Sequence, residues 1–188
     1  GRLLYAISMA TITMFNSINV DDAFSPTFVA VGYGVTNAAS ATDVTAAASP
    51  WTARTLPSAS NWNSVCYGNK QIVAVSGSTT VAASSPTGVT WTARTMPASA
   101  VWQSVVYGTR FVAVANGSTN SAYSTDGISW TSGGALPSAA AWFCLAYGES
   151  TYVAVSTTSS TAGAYSTDAG ATWHSSTLPA SANWQSVT

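Results

Sequence analysis

Charge is what this sequence has least of. Its 188 residues hold five lysines and arginines, six aspartates and glutamates and one histidine, 6% charged in all, against roughly 25% in an ordinary soluble domain. With a net charge of −1 and its few cations scattered, the chain lacks the basic footprint that a phosphate backbone or an anionic bilayer requires. Nucleic acid is therefore not an expected partner. Long apolar runs are missing too, since nowhere do 18 apolar residues follow one another, so no helical span and no membrane insertion is expected. There are two cysteines, Cys66 and Cys144, at different offsets of the pattern below and two units apart. That places them beyond the roughly 7 Å Cα separation a disulfide allows, and they read as unpaired thiols. Without a Cys-x-x-Cys or Cys/His spacing no zinc site is supported, and no cofactor or metal is expected.

Polarity comes instead from 29 serines and 26 threonines, beside a 47% apolar fraction ample for a core. A surface of hydroxyls and amides with little like-charge repulsion suits an extracellular or virion-surface protein, or a subunit packed among copies of itself or others.

The apolar residues are periodic. Trp62-Asn-Ser-Val-Cys-Tyr-Gly, then Ile72-Val-Ala-Val, a polar loop, Ala82-Ala-Ser-Ser, a Pro/Gly turn and Val89-Thr-Trp-Thr-Ala-Arg-Thr-Met-Pro make up one unit. The unit restarts at Trp102 and Trp142, and its first segment returns at Trp184. The eight tryptophans fall into two series, Trp51, Trp91, Trp130, Trp173 and Trp62, Trp102, Trp142, Trp184, a regularity that a shared core between units would impose. Each unit offers four short runs rich in Val, Ile, Tyr and Trp, bounded by Gly, Ser, Asn, Asp or Pro, and no helical window. We name these strands a (Trp-x-Ser-Val-x-Tyr), b (Phe-Val-Ala-Val), c (Ala-Tyr-Ser) and d (Thr-Trp-Thr). Strand b is apolar on both faces, as a strand between two neighbouring sheets should be.

Four strands per forty residues predict an all-β fold, a β-propeller of four-stranded antiparallel blades in one domain over 1–188. The units run over 1–14 (partial), 15–61, 62–101, 102–141, 142–183 and 184–188 (partial). Four are complete. If the termini meet, residues 1–14 and 184–188 share a fifth blade and close a ring; otherwise the chain is part of a larger propeller.

Between strands c and d, Ser166-Thr-Asp-Ala-Gly-Ala-Thr-Trp173 reads SxDxGxTW. Ser124-Thr-Asp-Gly-Ile-Ser-Trp130 is one residue shorter, and Ser84-Ser-Pro-Thr-Gly-Val-Thr-Trp91 keeps the longer spacing with Pro86 at the acidic position. A carboxylate that accepts turn N–H groups, a glycine free to take positive φ and an indole that anchors the turn make a structural device, not a catalytic one. The motif resembles the Asp box of sialidase-like propellers. That resemblance implies a structural role for Ser124, Asp126, Gly127, Trp130, Ser166, Asp168, Gly170, Thr172 and Trp173, on the face opposite an active site. Over residues 15–188 the whole repeat resembles arrays in bacteriophage tail and fibre proteins and some secreted bacterial proteins.

A sialidase-type site would need three arginines, a Tyr/Glu pair and an acid. The arginines are Arg2, Arg54, Arg94 and Arg110, and the only glutamate is Glu149, at unrelated unit positions, so no catalytic residues are assigned. His174 has no matching partner, and Asp21 and Asp22 read as a solvated turn rather than a calcium site. Asn116-Gly-Ser forms a glycosylation sequon. The d–a and b–c loops are expected to share one face and to present Tyr33, Asn37, Arg54, Ser78, Arg94, Asn116 and Asn120, groups suited to sugar hydroxyls. The expected function is non-catalytic recognition of a glycan or cell-surface receptor on a phage virion or secreted assembly. The alternative is a structural subunit bound to other assembly subunits or to its own copies.

Overall fold

The computed structural model describes residues 28–42, 44–45, 50–77, 79–158 and 160–188. Its thirteen described strands are β1 (Phe28–Val31), β2 (Tyr33–Ala41), β3 (Thr52–Gly68), β4 (Gln71–Gly77), β5 (Thr79–Ser85), β6 (Thr92–Tyr107), β7 (Phe111–Asn116), β8 (Ser121–Ser124), β9 (Thr131–Ser132), β10 (Trp142–Gly148), β11 (Thr151–Ser156), β12 (Ser160–Ser166) and β13 (His174–Ala182). Every pairing is antiparallel between sequence neighbours, so the fold is all-β and built from hairpins. The expected fifth blade rests on residues 1–14, which lie outside the described residues.

One expectation needs correcting. The d–a connections are not loops in β3 and β6: each is a single extended run whose first half pairs backward as strand d and whose second half pairs forward as strand a. Hydrogen bonding consequently links β1 to β9 in one nine-stranded run, with β10–β13 as a separate sheet. What bends the run between units is the recurring proline turn. There Trp62, Trp102, Trp142 and Trp184 each donate Nε1–H to the carbonyl four residues earlier, at Ser58, Ala98, Ser138 and Ala180, over 2.9 to 3.3 Å.

Because strand b alternates apolar residues on both faces, each unit contributes to two seams. Ile72 and Ala74 face back onto Val29, Val31, Leu56 and Trp62. Val73 and Val75 face forward onto Met96, Trp102, Val105 and Phe111. Val112 and Val114 repeat the forward face against Leu136, Trp142, Leu145 and Tyr152. Strand a adds a polar stitch: the Val105 N–H donates to Ser64 Oγ (3.2 Å) and the Leu145 N–H to Ser104 Oγ (3.1 Å). In the next unit Cys144 stands in the serine's place, with Sγ 3.8 Å from the Val187 carbonyl oxygen.

The second tryptophan series is less evenly served. Trp173 Nε1–H donates to Ser121 Oγ (3.1 Å) across a seam, whereas Trp91 and Trp130 bury their Nε1–H without an acceptor among the described residues. Strand register explains the difference, because the positions matching Ser121 are Ala38 and Ala82. Ala82→Ser is therefore expected to give Trp130 its missing acceptor and to raise stability by about 1 kcal/mol in denaturant unfolding.

The same seams are shape-matched at Tyr-Gly. A methyl added at Gly68 would lie 1.9 Å from Tyr107 Cγ, and one at Gly108 would lie 2.4 Å from Tyr147 Cδ2. Each glycine is thus the notch for the next unit's tyrosine ring. Gly68→Ala and Gly108→Ala are expected to destabilise by about 3 kcal/mol, the upper range of overpacking, measured as a lowered denaturant midpoint.

Candidate functional site

The turns of each unit open at two ends, a–b with c–d at one and b–c with d–a at the other. At the first end the chain bonds to itself. Asp126 Oδ1 accepts from the Ile128 and Ser129 N–H groups (2.8 and 2.9 Å) and from Ser124 Oγ, while the Gly127 N–H donates to Ser124 Oγ. Asp168 Oδ1 accepts from the Thr172 N–H and Ser166 Oγ, both at 2.8 Å, its Oδ2 accepts from Thr172 Oγ1 at 2.6 Å, and the Gly170 N–H donates to Ser166 Oγ. Gly127 and Gly170 take φ of 70° and 84°, and the longer turn places its extra residue, Ala169, at φ 60°. Trp173 beneath this turn is buried and Trp130 half-buried.

The matching turn in the preceding unit is set one residue later than its sequence suggests. Ser85, not Ser84, pairs with strand b as Ser124 and Ser166 do, and Ser85 Oγ accepts from the Gly88 N–H at 2.8 Å. Thr87 then replaces the aspartate, its Oγ1 accepting from the Val89 N–H at 3.3 Å; Pro86 is not at the acidic position.

The turns at Ser124 and Ser166 also reach the preceding unit. Asn69 Nδ2–H donates to the Thr125 carbonyl (2.8 Å). Arg110 donates from Nε to the Ala169 carbonyl (2.8 Å) and from Nη2 to that of Asp168 (3.3 Å), and its guanidinium carbon lies 3.5 Å from the centre of the Tyr123 ring. Tyr152 Oη–H donates to the Arg110 carbonyl at 2.7 Å. Sequence reading missed Asn69 and Arg110 as ties between units; their shared place just after Tyr-Gly was the available signal.

The other end holds some of the expected contact residues. Tyr33 lies at the b–c hairpin of the first described unit, 62% exposed, paired with Asn61; Asn37, also exposed, closes that hairpin by accepting from the Gly32 N–H. Asn116 and Asn120 flank the β7–β8 turn, where the Asn120 N–H donates to Ser118 Oγ (2.9 Å). The turn is held to the d–a connection by the Gly117 N–H to the Ala140 carbonyl and the Leu136 N–H to the Thr119 carbonyl. Between this turn and the β6 connection is a cleft of about 120 Å³ lined by Pro97, Ala98, Thr119, Asn120, Ser121 and Ser132 among others. Thr119 and Ser132 were not foreseen. Ser78, Asp21 and Asp22 lie outside the described residues.

Arg54 and Arg94 are not in this group. They sit within strand d, opposite Ala38 and Ala82, and each folds its Nε back toward the c–d turn to donate to a buried strand-c serine: Arg54 to Ser40 (2.9 Å), Arg94 to Ser84 (2.8 Å). The expectation that they belong to the d–a loops fails because strand d runs through them. His174 opens β13, exposed, its ring 5.2 Å from that of Tyr165.

No protein-family model and no curated protein matches the sequence. Solved structures do. Virginiamycin B lyase from Staphylococcus aureus, in selenomethionine-substituted form, is similar with a TM-score of 0.74 and 10% identity, over 93% of this chain and 62% of its own. A catalytically inactive variant of that lyase with quinupristin gives 0.73 and 13%, over 96% and 60%. YCF48 from Cyanidioschyzon merolae gives 0.60 and 12%, over 83% and 53%. The likeness is one of fold. These are propeller proteins, so the units are antiparallel blades of the propeller kind. The chain spans only 60% and 62% of the two lyase structures, and an enzyme among the neighbours at such identity carries no activity across.

Asp126 and Asp168 titrate low. The Ser129 and Ile128 N–H groups hold Asp126 below the usual range, and the Thr172 hydroxyl and N–H bring Asp168 down to about 2. A carboxyl depressed in the folded chain stabilises fully above its unfolded pKa of about 3.9, and that contribution is lost as pH falls through the folded value. Asp168→Ala is expected to cost about 1 kcal/mol at pH 7, as for a lost side-chain cap. The gap from the parent protein should close between pH 4 and pH 2 in urea unfolding.

Burial pushes the Cys66 thiol up, while Cys144 is half-buried. A thiol reagent is expected to modify Cys144 in the native protein and Cys66 only after unfolding.

Proposed function

We propose that the protein is a non-catalytic recognition module that binds a glycan, or another polar surface, through the b–c and d–a end of its blades, on a virion surface or a secreted assembly. In this reading the c–d turns are Asp boxes, and the blades belong to a ring of about five or to a larger propeller. The observation that carries the reading is the unequal use of the two ends. Asp126, Asp168 and their turn N–H groups at the a–b and c–d end are spent on the turns themselves, and Asn69 and Arg110 on the seams. The opposite end keeps exposed or half-exposed hydroxyls and amides around a cleft.

Saccharides are bound by such groups in bidentate polar contacts beside an apolar wall, here Pro97 and Ala98. Among the described residues the carboxylates, Asp126, Glu149 and Asp168, all lie at the far end, so the cleft has no acid/base pair of the kind glycoside hydrolysis uses.

A glycan array probed with the intact chain tests this. Reproducible binding that Asn120→Ala weakens by about threefold to tenfold, the loss of one neutral hydrogen bond, with unchanged melting, is the expected result. Silence on a broad array together with self-association in solution would favour a structural subunit, a reading that the low charge also suits. Hydrolysis of a fluorogenic sialoside would overturn the non-catalytic assignment.

A further inference from the structure

We infer that the seams beside Arg54 and Arg94 bind oxyanion groups, sulfate or carboxylate, carried on an acidic glycan. This site is separate from the cleft at Asn120 and does not rest on it.

Arg54 borders a second cleft of about 120 Å³, between the first described blade and the c–d turn of the next, with Ser40, Thr42, Thr52 and Val89 among its walls. Its Nε is fixed by Ser40 Oγ, whose residue is 98% buried, so the planar fork is held before any ligand arrives. Pre-organisation of this kind lowers the ordering cost that a free arginine would meet on binding. Among the described residues the terminal amino groups make no hydrogen bond and neither arginine has a carboxylate partner. A charged fork beside two threonine hydroxyls is the donor set a sulfate or carboxylate accepts from bidentately.

The arrangement recurs at Arg94 and Ser84 with a bond of 2.8 Å, on the same strand positions. The blades themselves do not require it. Where β8 and β12 place Tyr123 and Tyr165 at the serine position, the arginine position holds Gly133 and Ser176. The c–d pair forms there without a charge. Two of four blades thus retain a cation the fold can do without, in a chain with only five.

The test titrates the intact protein with a sulfated hexasaccharide, its desulfated counterpart and an oligogalacturonate of the same length. Binding of the sulfated or the uronate probe, with the desulfated probe at least tenfold weaker, is expected; which acidic probe binds tells sulfate from carboxylate. Arg54→Gln and Arg94→Gln should each weaken it by about tenfold, the loss of a charge-assisted pair of bonds, and Lys at either position should restore it only in part. Equal affinity for the sulfated and desulfated probes overturns the proposal, as does unchanged affinity in the double Gln variant. If that variant unfolds, Ser40→Ala and Ser84→Ala, which release the fork while keeping its charge, decide the matter: weaker binding supports it and no change overturns it. Asn120→Ala, which alters only the other cleft, should leave this binding intact, so the two readings fail separately.

Discussion

The seam between consecutive units is the constraint from which the rest follows. Strand b is the pivot, because a four-residue run such as Ile72–Val75 sends alternate side chains into two different cores and has no solvent face. Such a strand cannot be satisfied by its own sheet. It needs a neighbour on each side, and the tyrosine that enters the preceding glycine's notch, the serine that accepts the next unit's N–H and the indole that holds the proline turn all recur because each seam makes the same demand. Burial of a Trp, a Leu or Met and four or more aliphatic residues per seam supplies the bulk of the stabilisation. The polar stitches set register rather than strength.

Division of labour between the two ends is a consequence. Where the c–d turn meets the preceding a–b turn, the Arg110 guanidinium takes up the Ala169 and Asp168 carbonyls, while the Asp168 carboxylate is occupied by its own turn's Thr172. The b–c turns fasten to the d–a connections largely by backbone bonds, helped by the Ser121 and Thr157 hydroxyls, which donate to the Gly134 and Ala141 carbonyls, and this leaves the side chains of Thr119 and Asn120 at the cleft. Variation can therefore accumulate at that end without cost to the seams.

Much of this was legible in the sequence. The spacing of the two tryptophan series and the two-faced strand b carry seam and strand information directly, since burial has to be written in apolar residues. Turns around Asp126 and Asp168 were readable because their bonds are local, spanning two to four residues. The turn at Ser85 was misaligned, as Pro86 drew the eye to the acidic position while backbone pairing, invisible in the sequence, put Thr87 there. Arg54 and Arg94 were assigned to loops for a related reason: nothing in Thr-Ala-Arg-Thr tells where strand d stops, and it does not stop there. Contacts such as Gly68 with Tyr107 were hidden because each partner belongs to an apparently complete unit. Their meaning appears only when two units are laid side by side.

The c–d turns at Ser124 and Ser166 differ in length, and each is matched to the side chain that comes to meet it. The seven-residue turn at Ser124 is met by the short Asn69, while the eight-residue turn at Ser166, lengthened by Ala169, offers two carbonyls to the longer Arg110. Units that look interchangeable are therefore paired like keys and wards. A duplication or deletion by unequal crossing-over that joined the Asn69 unit to the Ser166 unit would leave a turn carbonyl without its protein donor, whereas recombination that carries both halves of a seam together keeps these bonds.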